Sequence, residues 1–248
     1  MPFLTRWDDD HSRPTFTSAL RDVFVRAVLP AVALFGVIVA FGFLLKGPLD
    51  TYGEWEKGIN RWYQDGRTST GEAITQYMSM IGNTEYVIGV GVIVCAIVWW
   101  RTKEWWFAVV PMIAISLQAT VFVLAAAVVG RARPPVERLD PTPPTSSYPS
   151  GHVGASTALY LSFALMATRI SNVVVRRVVI VLCILAPLLV SYARLYRGAH
   201  HVSDIVWGII NGVVCALLAW NYLRREPAPG TATEARGEAT GETAQTRA

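Results

Sequence analysis

Three short segments of the chain hold the residue types that handle phosphate: Arg131 and Arg133 in the first, Ser150-Gly151-His152 in the second, and Arg194, His200 and Asp204 in the third. Guanidinium groups grip phosphate oxygens through forked, charge-assisted hydrogen bonds. A histidine oriented by a carboxylate can attack phosphorus covalently, and a second histidine can protonate the departing oxygen.

Pro149 and Ser150 stand where a helix should begin, with Ser150 as its cap, so the first backbone N–H groups and the positive end of the helix dipole form an anion site. Gly151 lets a phosphate approach the backbone, and His152 can protonate a leaving oxygen. Alone, this tetrapeptide reads first as an ordinary helix cap with an interfacial histidine. His200 and Asp204 are four residues apart, which puts them on one face if a helix begins there. The carboxylate then holds one ring nitrogen and leaves the other free to attack. His201, about 100 degrees away on such a helix, takes a structural place. His152, His200 and Asp204 are also acceptable zinc ligands. Several arginines would repel a divalent cation but neutralise a phosphate, so no metal and no cofactor is expected. Arg131 and Arg133 could anchor at lipid headgroups; their company with the other two motifs favours phosphate binding.

These residues sit in a membrane scaffold. Of 248 residues 52% are hydrophobic, and the mean hydropathy is positive. A helix needs roughly 20 apolar residues to cross a hydrocarbon core. Six stretches approach that length, at 27–45, 86–100, 105–129, 152–167, 178–192 and 205–223, giving an all-α integral membrane domain over 27–223. The polar segment 1–26 does not resemble a cleavable signal peptide, and the Ala-, Thr-, Gly- and Glu-rich tail 224–248 is too poor in apolar residues to fold. Arg6, Arg13, Arg21 and Arg26 precede the first span, Arg101 and Lys103 follow the second, Arg169, Arg176 and Arg177 follow the fourth, and Arg224 and Arg225 follow the sixth. By the excess of cations in cytoplasmic loops, both termini lie inside and all three motifs lie at the outer face. Between 50 and 80, Trp55, Ile59 and Trp62 form one helical stripe and Ile74, Tyr77, Met78 and Ile81 a second, read as short interfacial helices with an aromatic belt. Cys95, Cys183 and Cys215 fall inside apolar spans and suggest no disulfide. The net charge of +4 is spread over these sites, without the basic stripe that nucleic-acid binding requires.

Arg133-Pro134, Pro149-Ser150-Gly151-His152, and Arg194 with His200 and Asp204 resemble, in order and spacing, the three signature motifs of the type 2 phosphatidic acid phosphatase family. The resemblance implies metal-independent hydrolysis of a membrane lipid phosphate or diphosphate at the outer face. By it, His200 is the nucleophile that becomes phosphohistidine, Asp204 orients it, His152 is the general acid, and Arg133, Ser150, Gly151 and Arg194 bind phosphate. Polyprenyl diphosphate (undecaprenyl or decaprenyl) is the first substrate expectation, and phosphatidic acid or phosphatidylglycerol phosphate the next. The chain departs from the family pattern at Ala126, where a lysine normally opens the first motif, and at Ala193, where a serine normally precedes the arginine. Arg131 is the candidate to supply the missing lysine's charge. The alternative is a catalytically weak lipid-phosphate-binding protein.

Overall fold

Leucine, valine, isoleucine and alanine runs can satisfy their backbone groups inside a hydrocarbon only as helices, and helices are what they form. The computed structural model describes residues 13–49, 53–141 and 146–224, and these contain helices and no strand. The expected tail lies outside the described residues apart from Arg224, as do residues 1–12. Among the described residues, five helices are long and apolar enough to cross a membrane: α1 (Phe16–Lys46), α4 (Thr84–Thr102), α5 (Trp105–Val129), α7 (Val173–Tyr196) and α8 (Val202–Asn221). Two shorter helices, α2 (Glu54–Asp65) and α3 (Ser69–Met80), lie between α1 and α4. The eighth, α6 (Gly151–Ala167), is the expected fourth span; at 17 residues it is short, and it is largely buried among α5, α7 and α8.

The boundary expected at 26 falls inside α1, which runs unbroken from its Thr15 cap through a π-helical stretch at Phe24–Val28. Asp22 and Arg26 stabilise that extension by pairing with the end of α8. Arg224 Nε lies 2.8 Å from Asp22, and Arg26 donates to the Leu223 carbonyl. Arg169 and Glu104, 2.6 Å apart, join two more connections at this end. Trp106, Phe107, Trp220, Tyr222 and Leu223 fill the core behind them.

α6 and α8 form the closest helix pair, for a reason written in their glycines. A Cβ on Gly212 would lie 2.5 Å from Thr157 Cβ and 2.6 Å from the Gly154 carbonyl oxygen. Small residues at such a seam let two backbones approach closely within a membrane. The same contact brings the start of α6 against the start of α8, where Ser150 N–H donates to the Asp204 carbonyl at 2.9 Å. The second and third motifs are therefore locked to each other through backbone.

The two short helices turn their apolar stripes away from the protein, as an aromatic belt requires. Their aromatic and aliphatic stripes face outward, with Trp62 70% and Tyr77 73% exposed. What they bury is polar: Glu56 and Asn60 on α2, Thr75 and Ser79 on α3. These four residues face the motif segments.

Candidate active site

A cavity of about 730 Å³ opens between α4, α5 and the motif segments. Arg133, His152, Arg194 and His200 line its polar end, and Val87, Ile88, Met112, Ile115 and Phe122 its apolar end.

Three potential phosphate ligands retain buried donors without a partner among the described residues: Arg133 Nε, Arg194 Nε and Ser150 Oγ. Arg133 is fixed by its Nη1, which donates to the Ala199 carbonyl at 2.8 Å. Arg194 donates from Nη1 to Ser79 Oγ (3.0 Å) and to Asp140 (2.7 Å). Ser150 decides between two readings of its motif. Although it stands at the N-cap of α6, its hydroxyl makes no capping bond, so it is not merely a cap. The freedom from a Cβ at Gly151 is taken up by the Phe122 ring, whose nearest atom lies 2.7 Å from where that carbon would be. Packing alone therefore demands a glycine there.

His200 is held differently from expectation. Its Nδ1 lies 2.7 Å from the Ser147 carbonyl and 3.9 Å from Asp204. A carbonyl only accepts, so Nδ1 carries the proton and Nε2 keeps its lone pair. Burial, reinforced by the charges of Arg194 and Arg133, pushes the His200 pKa well below the usual histidine range. The ring is neutral at physiological pH, as a nucleophile must be. Asn60 Nδ2 donates to the His200 carbonyl at 3.0 Å and fixes the backbone behind it.

Asp204 belongs instead to a capping and ion-pair cluster. α8 begins at Val202, later than the spacing suggested, which makes His201 its N-cap. Asp204 Oδ2 accepts from the His201 backbone N–H at 2.8 Å and lies 3.2 Å from His201 Nδ1. His201 thus takes the place beside the carboxylate that the spacing gave to His200. Arg131 accounts for the other oxygen. Its Nη1 donates to Asp204 Oδ1 (2.6 Å) and Ser203 (2.7 Å), and its Nη2 to Glu56 (2.9 Å). Glu56 in turn accepts from the Ser203 backbone N–H at 2.5 Å. Arg131 is therefore the predicted phosphate ligand that the fold directs elsewhere, and it supplies no substitute for the lysine absent at Ala126. A metal at Asp204 would have to displace these donors.

Sequence reasoning missed Glu56, Asn60, Ser79, Asn83 and Asp140. Asn83 Oδ1 lies 3.0 Å from His152 Nε2. Asp140 bridges Arg194 and Arg197, the latter at 2.6 Å. Burial alone would raise the Asp140 carboxyl, but its hydrogen bond to Arg197 and the charge of Arg194 hold it below the usual range. The legible signal for Glu56 and Asn60, and for Thr75 and Ser79, was a pair of polar residues four apart opposite each apolar stripe.

Residues 104–227 match the PAP2 superfamily, and that match spans half of the chain. The chain belongs to the PAP2 superfamily. A transmembrane PAP2-type phosphatidylglycerolphosphate phosphatase from Bacillus subtilis, known from its crystal structure, shares the fold with a TM-score of 0.69 at 18% identity, over 77% of this chain and 94% of that one. No curated protein matches the chain. As a PAP2 phosphatase it is an enzyme, and Arg133, Gly151, His152, Arg194 and His200 of its motifs line one cavity that they share with apolar residues of α4 and α5.

Proposed function

We propose that this PAP2 phosphatase hydrolyses a lipid phosphate or diphosphate through a phosphohistidine on His200. The observation that carries the reading is the set of unpartnered donors on Arg133, Arg194 and Ser150, next to a neutral imidazole with a free Nε2. Such donors cost about 1 to 3 kcal/mol each when left unpaired, and a bound phosphate would satisfy them. The Gly151 N–H and the α6 dipole add to the same anion site. His200 Nε2 attacks phosphorus as the ester or anhydride bond breaks, and His152 protonates the leaving oxygen. Asp204, with its charge balanced by Arg131, holds the N-terminal turn of α8 and therefore the position of His200 two residues before it.

The apolar end of the cavity supports a lipid substrate. Ile88 and Val123, 47% and 56% exposed, flank it where α4 and α5 would face the bilayer, so a chain could lie there without leaving hydrocarbon. Polyprenyl diphosphate is the first substrate and phosphatidic acid or phosphatidylglycerol phosphate the second. Six spans, with α6 as the central one, place both termini and the cluster around Asp22 and Arg224 in the cytoplasm and the site at the outer face. The cations at that end of the bundle support this orientation.

The test is phosphate release by the purified protein in detergent from polyprenyl diphosphate, phosphatidylglycerol phosphate and phosphatidic acid, measured side by side. A label transferred from phosphate-tagged lipid should be acid-labile and base-stable, and absent in His200→Ala. Full turnover in His200→Ala would refute the covalent mechanism. Turnover confined to the glycerolipids would refute the first substrate.

A further inference from the structure

Asn83 stands at the N-cap of α4, where an asparagine normally accepts a hydrogen bond from the first turn of its helix. It makes no such bond. Its Oδ1 is turned instead to His152 Nε2 at 3.0 Å, across a separation of 69 residues. The preceding residue is shaped for the same approach. A Cβ on Gly82 would lie 2.9 Å from the His152 carbonyl oxygen and 3.2 Å from its Cβ, so only glycine lets this turn come so near. Gly82 and Asn83 both line the cavity, and His152 Nδ1 has no hydrogen-bond partner among the described residues.

We infer that Asn83 is a positioning residue for leaving-group protonation, setting which nitrogen of His152 exchanges the catalytic proton. An amide oxygen can only accept, so the contact keeps a proton on Nε2 and assigns the transferable proton to Nδ1. This rests on His152 acting as the general acid. With His152 starting as the imidazolium, protonated on both nitrogens, its Nδ1 proton passes to the leaving oxygen as His200 Nε2 bonds to phosphorus and the bond to that oxygen breaks. The ring becomes neutral and keeps Nε2–H on Asn83. In the second half, Nδ1 takes a proton from the water whose oxygen attacks the phosphohistidine, phosphate is released, and His200 and His152 return to their starting states.

Three forms of the full chain in detergent test this: wild type, Asn83→Ser, which keeps a good helix cap but is too short to reach the ring, and Asn83→Asp, which keeps an acceptor. Each is assayed on dodecyl phosphate, whose alkoxide must be protonated to leave, and on 4-nitrophenyl phosphate, whose phenolate leaves unaided. The value of kcat/KM reports the step that expels the leaving group. Asn83→Ser should lose roughly 10- to 100-fold on dodecyl phosphate and less than about threefold on 4-nitrophenyl phosphate, within the usual range of general-acid effects. Asn83→Asp should retain most dodecyl phosphate activity, with its alkaline limb moved upward because a carboxylate favours the imidazolium. Equal losses on both substrates, or no loss on either, would overturn the inference. Nitrogen-15 shifts of the labelled imidazoles, read at alkaline pH where the His152 ring is neutral, give a second readout independent of turnover: the ring should be the Nε2–H tautomer in wild type and a mixture in Asn83→Ser. An unchanged tautomer also overturns it. A wild type inactive on both substrates, with the tautomer shift intact, overturns the phosphatase mechanism and the catalytic role with it, and upholds only the control of the His152 tautomer by Asn83.

Discussion

Arg131 and Arg133 are two residues apart and share one motif, the first buried and the second half-buried, yet the fold uses them in opposite ways. Arg131 is closed: its terminal nitrogens are taken by Asp204, Glu56 and Ser203, and its pKa is raised because these partners outweigh the effect of burial. Arg133 is open: one nitrogen is tied to a carbonyl, another is buried without a partner, and burial with the nearby charge of Arg138 lowers its pKa. A guanidinium saturated by carboxylates supports structure. One left short of acceptors and facing a cavity is ready for an anion. The distinction comes from the surrounding acceptors, since residue type and spacing are alike.

The largest effect expected from this contrast is on stability. Arg131→Ala would leave Glu56 and Asp204, 2% and 0% exposed, as uncompensated buried charges. Removing one partner of a buried ion pair typically costs about 3 to 5 kcal/mol. Thermal unfolding in detergent should show that loss, and combining Arg131→Met with Glu56→Gln should recover part of it. If Arg131→Ala instead unfolds like wild type while turnover collapses, Arg131 acts on substrate and the contrast is broken.

Next in size is the catalytic cost of the open arginines. Arg133→Ala and Arg194→Ala should each lower kcat/KM by roughly 10²- to 10³-fold, equivalent to about 2.7 to 4 kcal/mol, as for loss of one charge-stabilising donor in a transition state. Unfolding temperatures should move much less than in Arg131→Ala. A variant of Arg133 as unstable as Arg131→Ala would show that both arginines are structural.

How far the sequence reached follows the same line. The spans were legible because lipid leaves a helix no alternative, and five of the six stretches recur as long helices with ends displaced by a few residues. The exception in placement is the start of α1, where polar Thr15, Asp22 and Arg26 continue a helix that hydropathy alone would begin later. His152, Arg133, Arg194 and His200 were legible as a set and do line one cavity. The partners of each were not. Helical spacing paired His200 with Asp204, but α7 ends in a turn at Arg197-Gly198 and α8 begins only at Val202, so Asp204 caps the helix while a backbone carbonyl from Ser147 takes His200. No spacing rule foresees a carbonyl brought in from another segment. The apolar stripes of α2 and α3 were legible as outward-facing belts, but what their opposite, polar faces would bury was not, because those partners come from distant segments.

Arg194 lies between the two extremes, and Asp140 makes it so. Its Nη1 is shared between Ser79 and the Asp140 carboxylate, while its Nε has no partner. A carboxylate on that arginine occupies the same kind of position as a phosphate oxygen and brings a like charge to the mouth of an anion site. Asp140→Asn removes that charge and keeps the side chain's shape, which should open Arg194 further. Inorganic phosphate, as product inhibitor, should then bind roughly three- to tenfold more tightly, about 0.6 to 1.4 kcal/mol by the affinity relation. Asp140 also holds Arg197, so the substitution has a structural outcome with the opposite sign: a lower unfolding temperature accompanied by weaker phosphate inhibition. Tighter inhibition with an unchanged unfolding temperature would place Arg194 with Arg133 among the open arginines, whereas weaker inhibition would place it with Arg131.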